Sequence, residues 1–167
     1  MKKNDLRLVI ATILLLLAIV NFLPIMKSLN LISWYSRVSL FIIYFWFGIL
    51  KVFVLSPAEE LVKHLHHITY AVLFHFDTFF RLFGVYECLI GILWLFPKFT
   101  KVAFILILIH LTLTVMPMFL LQADTWSHAL IPTFIGQYII KNLILLALAL
   151  FLFHFSKLDP YLKRNKV

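Results

Sequence analysis

The sequence predicts an all-α fold: a polytopic transmembrane helical bundle of five spans, an N-terminal anchor plus a four-helix core, with a short interfacial amphipathic helix after the second span. Three observations predict it. The chain of 167 residues is 63% hydrophobic and 13% charged, whereas a typical soluble domain is roughly half apolar and about a quarter charged. Its mean hydropathy is +1.03. Five apolar runs, at about 6–26, 38–55, 77–96, 102–121 and 135–156, have the length of roughly 20 residues that a helix needs to cross a bilayer.

The first run, within "MKKNDLRLVIATILLLLAIVNFL", has the basic start and apolar centre of a signal peptide. It lacks a small-residue cleavage pattern and its apolar stretch is long, so it reads as a retained anchor, with its connection occupying 1–36. The core follows over 37–156, and 157–167 forms a basic tail. On the second span, Arg37, Tyr44, Gly48 and Lys51 recur at helical spacing and share a face. On the third, Gly84, Glu87, Gly91 and Trp94 do the same. Glycine lets helices approach closely, and an ionisable group in lipid needs a partner or water. The fourth span carries His110, and the fifth opens with "GQYIIKN", placing Gln137 and Lys141 one turn apart.

Between the second and third spans, "SPAEELVKHLHHITY" carries a helix-start signal: Ser56 as cap, Pro57 in the first turn and Glu59 three residues after the serine. At 100° per residue, Leu61, Val62, Leu65 and Ile68 fall on one side, with Glu59, Glu60, Lys63, His64, His66 and His67 opposite. Such a segment lies on a membrane surface. Glu60, His64 and His67, spaced by four and three, form a candidate metal-ligand set suited to zinc or iron. The competing reading is a solvated polar face, and only His75 and His128 offer further ligands.

Other classes are excluded. The +8 net charge comes from basic residues flanking apolar runs, the pattern of bilayer topology signals, so nucleic acid is not an expected partner. With four glycines and no strand–loop–helix pattern there is no phosphate-cradling loop, and the single Cys88 forbids an intrachain disulfide. For orientation, Lys27, Arg37, Lys98, Lys101, Lys157, Lys163, Arg164 and Lys166 flank one side, and Lys2, Lys3, Arg7 and Lys63 the other. The majority places the C-terminus in the cytoplasm and the N-terminus outside.

Depth decides which groups can meet. At about 1.5 Å per residue, Lys51 and Lys141 lie roughly 7 Å below the outer helix ends and Glu87 about 12 to 15 Å in. His110 sits near the midplane, and Asp77 and Arg81 stand at the outer entrance of the third span. The expected site is an outward-facing polar cavity lined by Lys51, Glu87, His110, Gln137, Tyr138 and Lys141, held in shape by a Lys51–Glu87 charge pair across neighbouring helices. For each lysine the alternative is snorkelling to the interface. Glu87 has no such escape, because its stem is too short.

The pattern "RVSLFIIYFWFGILK", then "SP", then "GVYECLIGILWLF", resembles the DoxX-like superfamily and, within it, the YkgB-like branch of small bacterial inner-membrane proteins. "PTFIGQYIIKNLILLALAL" is similar to the final span of such proteins. The resemblance covers roughly 37–156 and implies a four-helix membrane bundle associated with redox or oxidant-stress physiology. Its relatives include a quinone-linked thiosulfate-oxidising subunit, partners of thiol and superoxide defence proteins, and reactive-chlorine resistance proteins. Many members have no assigned activity, so family membership assigns no enzyme.

Three functions stay open. One is a redox-associated membrane protein whose cavity admits a quinone headgroup or small oxidant, with Lys51 and Lys141 stabilising developing negative charge and Glu87 relaying protons. The sequence identifies no intrinsic cofactor, since paired cysteines and an axial-ligand set are lacking. The second is an accessory subunit or assembly factor, packed in the bilayer against other membrane subunits or a second copy. The third, a small-molecule transporter, is disfavoured because inverted repeats and broken helices are not evident.

Overall fold

The computed structural model describes residues 25–69 and 75–164. The N-terminal run at 6–26 and its basic flank lie almost wholly outside the described residues. The chain divides into two compact units, Met1–Tyr35 and Ser36–Val167. Of the first, residues 25–35 are described, and all are helical.

The described chain is almost entirely helical. Helix α1 (Ile25–Val52) starts earlier than the expected second span, because neither glycine nor proline interrupts the sequence between Ile25 and Gly48. It ends in a Schellman motif: the Leu55 N–H donates to the Leu50 carbonyl at 2.8 Å and the Val54 N–H to the Lys51 carbonyl at 3.1 Å. The left-handed position that usually holds glycine is occupied by Val54, at φ 57°.

The surface helix α2 (Glu59–Thr69) follows a turn in which the Ser56 hydroxyl accepts from the Ala58 N–H at 3.3 Å. Ser56 therefore caps the entry turn, not the helix proper. The expected faces are also rotated: His66 is buried against the rings of Phe76 and Phe79, while Ile68 is 54% exposed. Two aromatic rings of the next helix offer the imidazole an apolar seat that the helical wheel alone does not reveal.

Helix α3 (Phe76–Trp94) leads through a short 3₁₀ turn (Pro97–Phe99) into α4 (Thr100–Val115). The segment between α4 and the last long helices is a knitted cap. Short helices α5 (Pro117–Leu120) and α6 (Gln122–Thr125) lead into a two-stranded antiparallel hairpin, β1 (Trp126–His128) and β2 (Ile131–Pro132). The Thr133 hydroxyl donates to the Asp124 carbonyl at 2.7 Å, and Trp126 Nε1 donates to the Met118 carbonyl at 3.0 Å. Helix α7 (Phe134–Ile140) then gives way at Lys141 to α8 (Asn142–Arg164), so the expected fifth span is interrupted. A second interruption, at Met116, precedes Pro117, which cannot donate to a helix ladder.

Among the described residues, three stretches are long and apolar enough to cross a membrane: Leu29–Val52, Pro97–Leu120 and Phe134–Leu158. Helix α3 has 19 residues but carries Asp77, Arg81 and Glu87, so five spans are not established. Four helices share one core: Leu40 and Tyr44 of α1, Ile90 and Trp94 of α3, Ala103, Ile107 and Leu111 of α4, and Ala149 and Leu152 of α8. Ala103 and Ala149 are fully buried, as small residues are where helices pack closely. The polarity is inverted relative to a water-soluble bundle. Arg37, Lys51, Glu87 and His110 are inside, whereas Trp46, Leu82, Leu143 and Ile144 are more than half exposed.

Candidate functional site

The site begins where α1 crosses α3. Both crossing residues are glycines: a Cβ on Gly48 would fall 2.6 Å from the Gly84 carbonyl oxygen, and one on Gly84 would fall 2.6 Å from the Gly48 carbonyl oxygen. One turn beyond each glycine stands an ionisable residue, Lys51 on α1 and Glu87 on α3. The close backbone approach brings their short reach together: Lys51 Nζ donates to Glu87 Oε2 at 2.6 Å, with the side chains 7% and 6% exposed.

Helix α4 adds His110. Its Nε2 lies 2.8 Å from Glu87 Oε1, and its Nδ1 lies 3.3 Å from the Tyr44 hydroxyl. Phe83 stacks on the imidazole, 5.3 Å between centroids and 14° from parallel, and also lies 5.7 Å under the Lys51 ammonium. Four polar side chains from three helices thus form one continuous chain, Lys51–Glu87–His110–Tyr44, buried between apolar helices.

Hydrogen-bond bookkeeping assigns the protons. A lysine ammonium can only donate, so Glu87 Oε2 accepts. An ionised Glu87 also accepts at Oε1, which places the imidazole proton on Nε2. A second proton on His110 would leave this buried set with a net positive charge, which low-dielectric surroundings disfavour. Nδ1 is then an unprotonated acceptor, and the Tyr44 hydroxyl donates to it. Lys51 has three donors, and among the described residues Glu87 is its one hydrogen-bond acceptor.

A second buried set lies toward the other end of α1. Arg37, 3% exposed, donates to the Trp94 carbonyl at 3.1 Å and to Thr100 Oγ1 at 2.8 Å. A guanidinium there satisfies an orphan carbonyl at the C-terminus of α3 and complements that helix's dipole. This group ties α1, α3 and α4 together and is structural. Among the described residues, Trp94 Nε1 is the one buried side-chain polar atom without a hydrogen-bond partner, so each buried polar atom of the two sets has at least one partner.

Of the six residues expected to line one cavity, the structure brings together Lys51, Glu87 and His110, and it buries them. It does not bring Gln137 and Lys141 to them, and Tyr138 lies within electrostatic reach of Glu87 without a hydrogen bond to the set. All three are exposed, Gln137 and Tyr138 on α7 and Lys141 at the break that follows it, because Gly136 and Ile139 take the inward positions. Gly136 is pressed on the Thr125 carbonyl so tightly that a Cβ would collide with it. Tyr138 instead sets its ring against Phe47, 6.1 Å between centroids.

The metal-ligand candidates are not gathered. His64 Nδ1 is 3.0 Å from Asp124 Oδ2 of the cap, and its Nε2 is 3.9 Å from Glu60 Oε1; His67 is exposed and joins neither. Among the described residues no group of three or more His, Cys, Asp or Glu side chains is arranged to hold a metal ion.

Two participants escaped the sequence-derived set. Tyr44 had a legible signal, since it shares the helical face of Gly48 and Lys51. Asp124 had none, because its role depends on the fold of the cap. No protein-family model matches the chain, and neither a curated protein nor a solved structure matches it.

Proposed function

We propose that this chain is a DoxX-like, YkgB-like protein of the bacterial inner membrane that works in redox or oxidant-stress physiology and binds a quinone headgroup or small oxidant at the Lys51–Glu87–His110–Tyr44 chain. In this reading it has five spans: the three apolar stretches, α3 with Glu87 turned inward and Asp77 and Arg81 exposed in its first two turns, and the N-terminal run. The observation that carries the function is the buried chain itself. Lys51 retains donors beyond the one given to Glu87, and such a group suits a carbonyl oxygen of a ligand.

A bound quinone would supply reversible two-electron, two-proton chemistry. The chain's own residues would do the rest. Lys51 holds positive charge where the ligand oxygen gains negative charge. Glu87 anchors that ammonium with one oxygen and fixes the His110 tautomer with the other. His110 and Tyr44 continue the path along which a proton can move. Lys141, expected to share the work of Lys51, lies outside and plays no part in this step.

Binding of a short-chain quinone to protein in lipid nanodiscs tests the proposal. Losing a hydrogen bond to a charged group costs about 1.5–3 kcal/mol, so Lys51→Met should weaken binding by about tenfold or more. Lys51→Met/Glu87→Gln, which removes both charges, should fold well and still bind weakly. Uptake that never saturates, or that is the same in wild type and variants, overturns it.

A second reading rests on α7. Gln137 and Lys141 face outward on a helix within an apolar stretch, and polar groups facing lipid are costly. A neighbouring membrane subunit packed there would relieve that cost, which is the accessory-subunit reading. Native mass spectrometry of gently extracted protein tests it: a stoichiometric partner lost in Gln137→Leu/Lys141→Leu supports it, and a lone chain overturns it.

A further inference from the structure

We propose that Tyr44 is a redox-active tyrosine, surrendering an electron to a one-electron oxidant while its phenolic proton passes to His110. The inference does not rest on quinone binding. It rests on what the hydroxyl touches. Among the described residues, Tyr44 is the tyrosine whose hydroxyl meets a base, His110 Nδ1, at 3.3 Å. The hydroxyl of Tyr86 donates to the Leu106 carbonyl at 2.7 Å, an acceptor that cannot take the proton away. Tyr138 is half exposed, and its ring rests on Phe47.

Oxidising a phenol in an apolar interior is unfavourable if the proton stays, because a buried radical cation results. Passing the proton to a hydrogen-bonded base leaves a neutral phenoxyl radical. The step balances as follows. The phenolic O–H bond breaks and an N–H bond forms at His110 Nδ1; one electron leaves the ring, and the oxidant is reduced by one electron. The imidazolium so formed lies against Glu87 Oε1, 2.8 Å from Nε2; with Lys51 also charged the set then carries one net positive charge, whose cost this contact offsets in part and re-reduction removes. Re-reduction returns the proton along the same bond.

The surroundings suit a radical that persists. Tyr44 is 3% exposed and packs within the four-helix core, which shields the ring from solvent. Electron loss needs no contact with the oxidant, whereas proton loss does need contact with the base. Phe83, stacked on His110, and the edge-on Tyr44–His110 contact, 5.0 Å between centroids, hold the base in place.

The test uses the full-length protein in detergent and hexachloroiridate(IV), an outer-sphere one-electron oxidant, with rapid freezing and electron paramagnetic resonance. The expected result is a tyrosyl signal that is narrowed by ring-deuterated tyrosine, absent in Tyr44→Phe and present in Tyr86→Phe. Because a positioned base contributes roughly 10²–10⁴-fold to proton transfer, formation should slow by about a hundredfold in His110→Leu. In wild type, which needs no substitution, formation should slow in deuterated solvent. A signal that survives Tyr44→Phe, the lack of any tyrosyl signal in wild type, or equal rates in the two solvents overturns the proposal. No quinone enters the experiment, so its failure leaves the binding reading standing, and the reverse holds too.

Discussion

Lys51 and Glu87 are each costly alone and acceptable together. Removing one member of a buried pair strands the other, at a cost of roughly 3–5 kcal/mol, while replacing both with apolar or neutral groups can be nearly neutral. His110 makes the two halves unequal. Lys51→Met leaves Glu87 still bonded to His110 Nε2, and a carboxyl group without its lysine can shed its charge by taking up a proton. Glu87→Gln strands the ammonium and also removes the charge that orders His110. Thermal unfolding in detergent should therefore show Glu87→Gln as the more damaging single change. Lys51→Met should be milder, and the double variant should recover much of the loss. Simple additivity of the two effects would mean that the charges are not coupled and that Lys51 is held by other contacts.

The distance between α1 and α3 is set by their glycines, and the ion pair depends on it. An alanine at Gly48 would meet the Gly84 carbonyl oxygen at 2.6 Å and Cys88 Sγ at 2.7 Å; one at Gly84 would meet the Gly48 carbonyl oxygen at 2.6 Å and Lys51 Cβ at 2.8 Å. Backbone must move in both cases, and in the second the lysine moves with it. At Gly91 the nearest atoms are 3.0–3.3 Å away, and the better helix propensity of alanine, about 1 kcal/mol, offsets much of the crowding. Overpacking costs typically about 1–3 kcal/mol, so denaturation in detergent should rank Gly48→Ala and Gly84→Ala as destabilising and Gly91→Ala as near neutral. A stabilising Gly84→Ala would refute the close crossing. These two faces were legible in the sequence because glycine and ionisable residues recur at helical spacing. Arg37, Tyr44, Gly48 and Lys51 are all buried, as are Gly84, Glu87, Gly91 and Trp94. His110 was legible as a polar group at depth, but its partners depend on how α4 is rotated, which its almost uniformly apolar sequence does not reveal. Gln137 and Lys141 misled for the opposite reason. Their spacing marks a polar face, and only the collision that Gly136 avoids with Thr125 shows that this face turns outward.

At the scale of the whole molecule, the two ends of the second unit differ in charge. One end carries α2 and the cap, joined by the His64–Asp124 contact. There, Lys63 is the one lysine or arginine in the connection 53–75, and the cap from Met116 to Thr133 has none. The opposite end carries the turn with Lys98 and Lys101, and the chain leaves α8 through Lys157, Lys163, Arg164 and Lys166. Positively charged residues near span ends are retained in the cytoplasm. We therefore expect the turn at 97–100 and the C-terminus to face the cytoplasm, and α2 and the cap to face outward. If α1, α3, α4 and α7–α8 all cross, the C-terminus and the start of α1 lie on the same side, and the N-terminal run carries the chain's beginning to the other. Lys2, Lys3 and Arg7 oppose that placement, and a first span often dominates orientation, so the two termini must be located independently. Reporters that report only in the cytoplasm, fused at each end, should be active at the C-terminus and silent at the N-terminus; reporters that need the external compartment should give the reverse. Both termini in the cytoplasm would mean an even number of crossings and remove one span. A cytoplasmic N-terminus with an external C-terminus would invert the bundle and place the Lys51–Glu87 end on the cytoplasmic side.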